Sequence, residues 1–112
     1  MRLSPRDPNL GPWLATAGMA LLHLGHDEEA VSWLSRAVDT GTPVALHQAY
    51  FASALALVGR EEEARQALAP FRRAKPSATI ASLRAAAYST QADFVAQRER
   101  LYAGLRLAGL PD

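Results

Sequence analysis

Gly25-His26-Asp27-Glu28-Glu29-Ala30 and, 34 residues further on, Gly59-Arg60-Glu61-Glu62-Glu63-Ala64 carry the same signal twice. In each, a glycine stops one helix and a run of acidic residues opens the next. Glycine tolerates the left-handed backbone that ends a helix, and carboxylates favour the positive end of the helix dipole. Each stretch therefore predicts the turn of a helical hairpin. Working outward, residues 11–44 laid on 45–78 without a gap match at eight positions: Ala15/Ala49, Ala20/Ala54, Leu21/Leu55, Gly25/Gly59, Glu28/Glu62, Glu29/Glu63, Ala30/Ala64 and Leu34/Leu68. Gly18/Ala52, Leu24/Val58 and Asp27/Glu61 keep their size class. A fixed period of this kind marks stacked supersecondary units, and stacks of helix pairs usually present surfaces for other proteins.

The rest of the chain reads as helices around those turns. Pro5, Pro8 and Asp7 argue against a helix over residues 1–11, which reads as a linker arm before one domain at 12–112. Pro12 suits a first helical turn. Leu14, Ala17, Leu21 and Leu24 then recur at three- and four-residue spacing. The second helix offers Val31, Leu34, Ala37 and Val38 and ends at Gly41-Thr42-Pro43. The third runs from about Pro43 to Val58 with Leu46, Tyr50, Phe51, Leu55 and Val58. The fourth buries Ala64, Leu68 and Phe71, and Pro70 predicts a kink or early fraying near Ala67. Beyond residue 78 the repeat fades into a two-helix cap over 79–109. Its first helix carries Ile80, Leu83 and Ala87. Its second has Thr90 as N-cap, Asp93 as capping-box partner and an apolar stripe of Phe94, Val95, Leu101, Tyr102 and Leu105. No segment alternates with period two, so the fold class expected is all-α.

Bulk composition narrows the function classes. The 112 residues are 49% apolar and carry a formal charge of +1. Near-neutrality argues against nucleic acid and anionic membrane as partners. The absence of cysteine excludes disulfides, thiol catalysis and cysteine-held zinc. Trp13 to Leu22, the longest apolar stretch, is too short to span a bilayer, so a cytoplasmic location is expected.

The small residues at fixed offsets resemble the tetratricopeptide repeat family. Leu14, Ala17-Gly18, Leu21, Ala30, Leu34 and Ala37 carry the likeness in the unit 11–44. Gln48, Phe51-Ala52, Leu55, Ala64, Leu68 and Pro76 carry it in 45–78. Gln48 and Phe71 depart from the pattern. Leu3-Ser4-Pro5-Arg6-Asp7-Pro8, the first turn, and Gly104-Leu105-Arg106-Leu107-Ala108-Gly109-Leu110-Pro111 resemble the C-terminal repeat region of bacterial multidomain signalling proteins. Those include adenylate/guanylate cyclases and winged-helix regulators. The resemblance implies a module for protein–protein interaction or self-assembly, a possible homodimer, with no enzyme chemistry and no cofactor in this chain. A ligand-sensing regulatory domain of a cyclase-type enzyme is the alternative it leaves open.

The resemblance also implies a concave face lined by the first helix of each unit. Helical spacing then gives it Thr16, Met19 and His23 from one unit and Tyr50, Ser53 and Leu57 from the other. The chain's own last helices compete with a foreign ligand for that face. Trp13, Trp33, Phe94 and Tyr102 are candidate interface anchors. His23, His26, Asp27 and Glu28 are close in sequence, but the acids already serve a helix start, so a metal site is not expected. Ser32, Ser35 and Ser53 have no adjacent base for nucleophilic catalysis.

Overall fold

The computed structural model describes residues 10–39, 45–85 and 92–112, and among these it contains helices and no strand. The helices are α1 (Leu10–His23), α2 (Asp27–Asp39), α3 (Ala45–Leu57), α4 (Glu61–Ala74), α5 (Ile80–Ala85) and α6 (Ala92–Leu107). The all-α expectation is therefore met. The helix ends expected at Gly41-Thr42-Pro43 and at Thr90, like Ala87 and the arm over 1–9, lie outside the described residues.

The two turns are built alike, bond for bond. His26 N donates to Leu21 O at 2.9 Å and Gly25 N to Leu22 O at 3.0 Å. In the second turn Arg60 N donates to Leu55 O at 2.9 Å and Gly59 N to Ala56 O at 3.0 Å. This pair of bonds returns the last carbonyls of a helix to partners, and it needs a positive φ at the glycine. Gly25 has φ 84° and Gly59 has φ 89°. Asp27, Glu28 and Glu29 then occupy the first turn of α2, and Glu61, Glu62 and Glu63 that of α4. No side chain caps α4, so the acidic groups answer its dipole directly.

Small residues let the members of each pair close up. A Cβ on Gly18 would lie 2.6 Å from Cγ of Leu34, which is itself fully buried. Ala30, Ala52 and Ala64 are likewise completely covered. α2 presents Ala30, Val31, Leu34 and Ala37 inward, and α4 presents Ala64, Leu68 and Phe71. Around them one core also takes in Leu22, Tyr50, Leu55, Ile80, Leu101 and Leu105. A separate small cluster of Leu14, Ala15 and Ala37, flanked by Trp33, closes the far end of the first pair.

Several expectations shift. α1 begins at Leu10, ahead of Pro12, which falls within its first turns. Its buried face is Leu14, Ala15, Gly18 and Leu22, while Leu24 is 67% exposed. Leu46, expected to pack, is 42% exposed. α4 does not fray at Ala67: it runs through Pro70 to Ala74 and closes with Lys75 N on Phe71 O at 2.9 Å. Burial of Phe71 beyond the proline holds that last turn in place.

α5 starts with a reciprocal cap in which Ser82 N donates to Thr79 Oγ1 and Thr79 N to Ser82 Oγ. The chain end packs back on it, with Ile80 N donating to Pro111 O at 2.8 Å. α6 ends in the same glycine turn as α1 and α3, with Gly109 at φ 108° and Leu110 N on Leu105 O. Its principal neighbour is α3, followed by α1.

Candidate partner-binding groove

α1 and α3, the first helices of the two pairs, touch each other, and α6 packs mainly on α3 and also on α1. Gly104 and Ser53 approach each other closely. A Cβ added at Gly104 would collide with Ser53 Oγ and lie 2.5 Å from Ser53 O and 2.8 Å from its Cα. The backbones of α3 and α6 are therefore in contact at this point. Ser53 is completely buried there, and its hydroxyl donates to Leu101 O at 2.9 Å. A buried hydroxyl without a partner would cost stability, so the bond explains why a polar residue sits in the centre of α3.

Polar contacts flank that crossing. Arg100 reaches the first turn and donates through Nη2 to both Asp27 carboxylate oxygens, at 2.7 and 2.6 Å. Its Nε lies 3.3 Å from Leu22 O at the end of α1. Tyr50 Oη and His23 Nε2 share a hydrogen bond of 2.7 Å, with their rings edge to face at 5.4 Å. Arg98 Nε donates to Tyr102 Oη at 3.2 Å. On the outer side Arg84 pairs with Glu99 at 2.7 Å and sits 5.0 Å over the Tyr102 ring, joining α5 to α6.

The six residues assigned to the concave face thus divide. Tyr50 and Ser53 are buried beneath α6. Met19 and Leu57 are half-buried against the core, His23 is half-buried at Tyr50, and Thr16 is exposed. Over Tyr50 and Ser53 the face is occupied by the chain itself. Tyr102 is 1% exposed, so it anchors α6 internally and is not presented to another molecule. The side chain of Phe94 lies outside the described residues.

The tryptophans meet each other. Trp13 and Trp33 pack edge to face with centroids 5.4 Å apart, and Arg36 sits 5.2 Å over the Trp33 ring. Trp13 remains 39% exposed. It begins an outward strip of Trp13, Thr16 and Ala20 on α1 and Leu24 in the turn just beyond it, every member of which is exposed. This strip keeps to the three- and four-residue spacing of one helix face.

The histidine–carboxylate stretch serves structure. His23 is held by Tyr50, Asp27 by Arg100, and His26 faces Glu29 across 4.0 Å on the surface. Among the described residues no group of three or more His, Asp or Glu side chains could hold a metal ion. His47 is half-buried, and loss of solvent pushes its imidazole below the ordinary value of 6.5. Gly104 and Arg100 are the residues that reading by period misses. They lie outside the repeat, where no second copy flags them, and only the pairing of glycine with an apolar helix face hints at a close crossing.

Comparison with known proteins finds no matching family model, no matching curated protein and no matching solved structure. No described helix is long and apolar enough to cross a membrane.

Proposed function

We propose that this chain is a tetratricopeptide-like module of two hairpin units, 11–44 and 45–78, which binds or assembles proteins in a bacterial signalling context. The observation that supports it best is the identity of the two turns, 34 residues apart, with small residues at both helix crossings. Helix pairs joined in this way form quasi-linear stacks whose faces serve for recognition. In this reading the concave face of Thr16, Met19, His23, Tyr50, Ser53 and Leu57 is closed in part by α6. The face left for a partner or a second copy is the α1 strip of Trp13, Thr16, Ala20 and Leu24. Tryptophan is enriched among the anchors of protein interfaces, and the exposed leucine extends the apolar strip beside it.

The test is light scattering of the chain over a concentration series, alongside cross-linking in native extract. The reading expects self-association, or a retained protein, that Leu24→Glu abolishes while the melting curve stays unchanged. A wild-type chain that is monomeric at every concentration, and retains nothing that Leu24→Glu loses, contradicts it.

A further inference from the structure

We propose that the outward strip of Trp13, Thr16, Ala20 and Leu24 is a stacking face for a further helix pair of the 34-residue kind, which lies on it as the first pair lies on α3. This rests on the reading of the chain as an interaction module and names the partner of that same strip.

The chain carries its own template for the contact. One period after the strip, the same four positions hold His47, Tyr50, Ala54 and Val58. All four residues of the strip are exposed, whereas Tyr50 is 3% and Ala54 0% exposed, and His47 and Val58 are half-buried. One flank of the first helix is thus open in one unit and covered in the other. Among the described residues only α3 has a helix pair before it. α3 rests on α2 and touches α1, and Tyr50 is bonded to His23 of that first pair at 2.7 Å. α6 takes the adjoining flank, where Ser53 donates to Leu101 O. Ala54 and Val58 stand about 100–140° round the helix from Ser53, turned away from α6.

The period also states what the occupant carries. α2, the neighbour of α3, has Val31 buried in the core it shares with α3 and Val38 half-buried seven residues on, a spacing that keeps both on one helix face. The strip bears no charge, so a charged face laid on it would bury ions without partners. Where α2 has Val31 and Val38, α4 has Arg65 and Arg72, both exposed. A second copy of this chain therefore does not extend the stack by setting its α4 on the strip, and its α2 is already covered by α3. The occupant is a helix pair that this chain does not itself present, with a second helix apolar at two positions seven apart.

The experiment joins residues 1–44 directly to residues 11–112, which sets an added first pair ahead of α1 with the junction that α3 has. The chain lacks cysteine, so Ala20→Cys in the copy that continues into residue 45 puts a single reporter thiol on the strip. Its rate of reaction with a maleimide is read in the 112-residue chain and in the extended chain, beside Leu107→Cys as an exposed control. The thiol at position 20 is expected to react as fast as the control in the 112-residue chain and at least about tenfold more slowly in the extended chain. The control is expected to react alike in both. Val31→Arg with Val38→Arg in the added pair is expected to restore the fast rate. The proposal is overturned if the extended chain reacts at the full rate, whether or not its helical circular dichroism rises, because a pair without a seat stays unfolded or stands apart. Shielding that survives the two arginines also overturns it, since the strip then does not select an apolar helix. Shielding in the 112-residue chain that grows with concentration makes a second copy the occupant, and so sinks this proposal while sustaining the interaction reading. Failure of the interaction reading shows instead as a chain that retains nothing through Leu24, which the thiol rates do not register.

Discussion

Gly104 occupies a position where the usual ranking of helix formers reverses. On an exposed helix surface alanine is better than glycine by about 1 kcal/mol. At Gly104 the added carbon would meet the Ser53 backbone at 2.5 and 2.8 Å. Gly104→Ala is therefore expected to lower stability by about 1–3 kcal/mol, the usual cost of overpacking. Urea unfolding followed by circular dichroism measures it, and a gain in stability would show α3 and α6 to be further apart. Gly18 supplies an internal comparison. There the nearest atoms are Cγ and Cδ2 of buried Leu34, at 2.6 and 2.9 Å, and the nearest backbone atom, Leu34 N, stands further off at 3.2 Å. Gly18→Ala is expected to cost less than Gly104→Ala in the same assay. Gly18 was legible in the sequence because Ala52 repeats its size one period later. Gly104 has no such echo, and its role depends on a helix that the repeat does not contain.

The hairpin turn is the unit repeated at the scale of elements. Gly25 and Gly59 have nearly equal φ and equivalent hydrogen bonds. Forcing a side chain into this backbone region costs about 1–2 kcal/mol per residue. Gly25→Ala and Gly59→Ala should therefore destabilise by similar amounts in thermal or urea unfolding. Costs differing by more than about 1 kcal/mol would mean that the turns do not play the same part. The second helix of each pair was largely readable, because α2 and α4 are amphipathic and the buried stripe stands out against charge; Val38, expected inside, is only half-buried. Ala64, Leu68 and Phe71 lie inside as the spacing indicates. The first helices were not readable in this way. α1 is apolar on almost every side, so spacing alone could not choose between Leu22, which is buried, and Leu24, which is 67% exposed. α3 packs against α2, α4 and α6 at once, and alanine at 49, 52, 54 and 56 leaves no single face to read. The early fraying that Pro70 suggested is absent for a related reason. Local propensity favours a break, but the burial of Phe71 outweighs it.

At the scale of the molecule, pH acts through a group that the fold desolvates. His47 has its imidazole held below 6.5 by loss of solvent. The unfolded chain therefore takes up a proton at a pH where the folded chain resists it. The stability that depends on neutral His47 is present above the ordinary value and is lost as pH falls through it. Between about pH 7.5 and about pH 5.5 the urea midpoint should fall, and His47→Gln should flatten that fall. An unchanged slope in the variant would place the proton uptake elsewhere. The larger claim concerns closure. Two like helix pairs leave a face over α1 and α3, and α6 closes it through Gly104, Arg100 and two buried leucines. Hydrogen exchange read by mass spectrometry tests this most directly. The account predicts that amides of α6 around Leu101 to Leu105 exchange as slowly as those of α3 around Ser53, and that Arg100→Ala speeds both together. Exchange of α6 at the rate of an open chain, with α3 still protected, would contradict it.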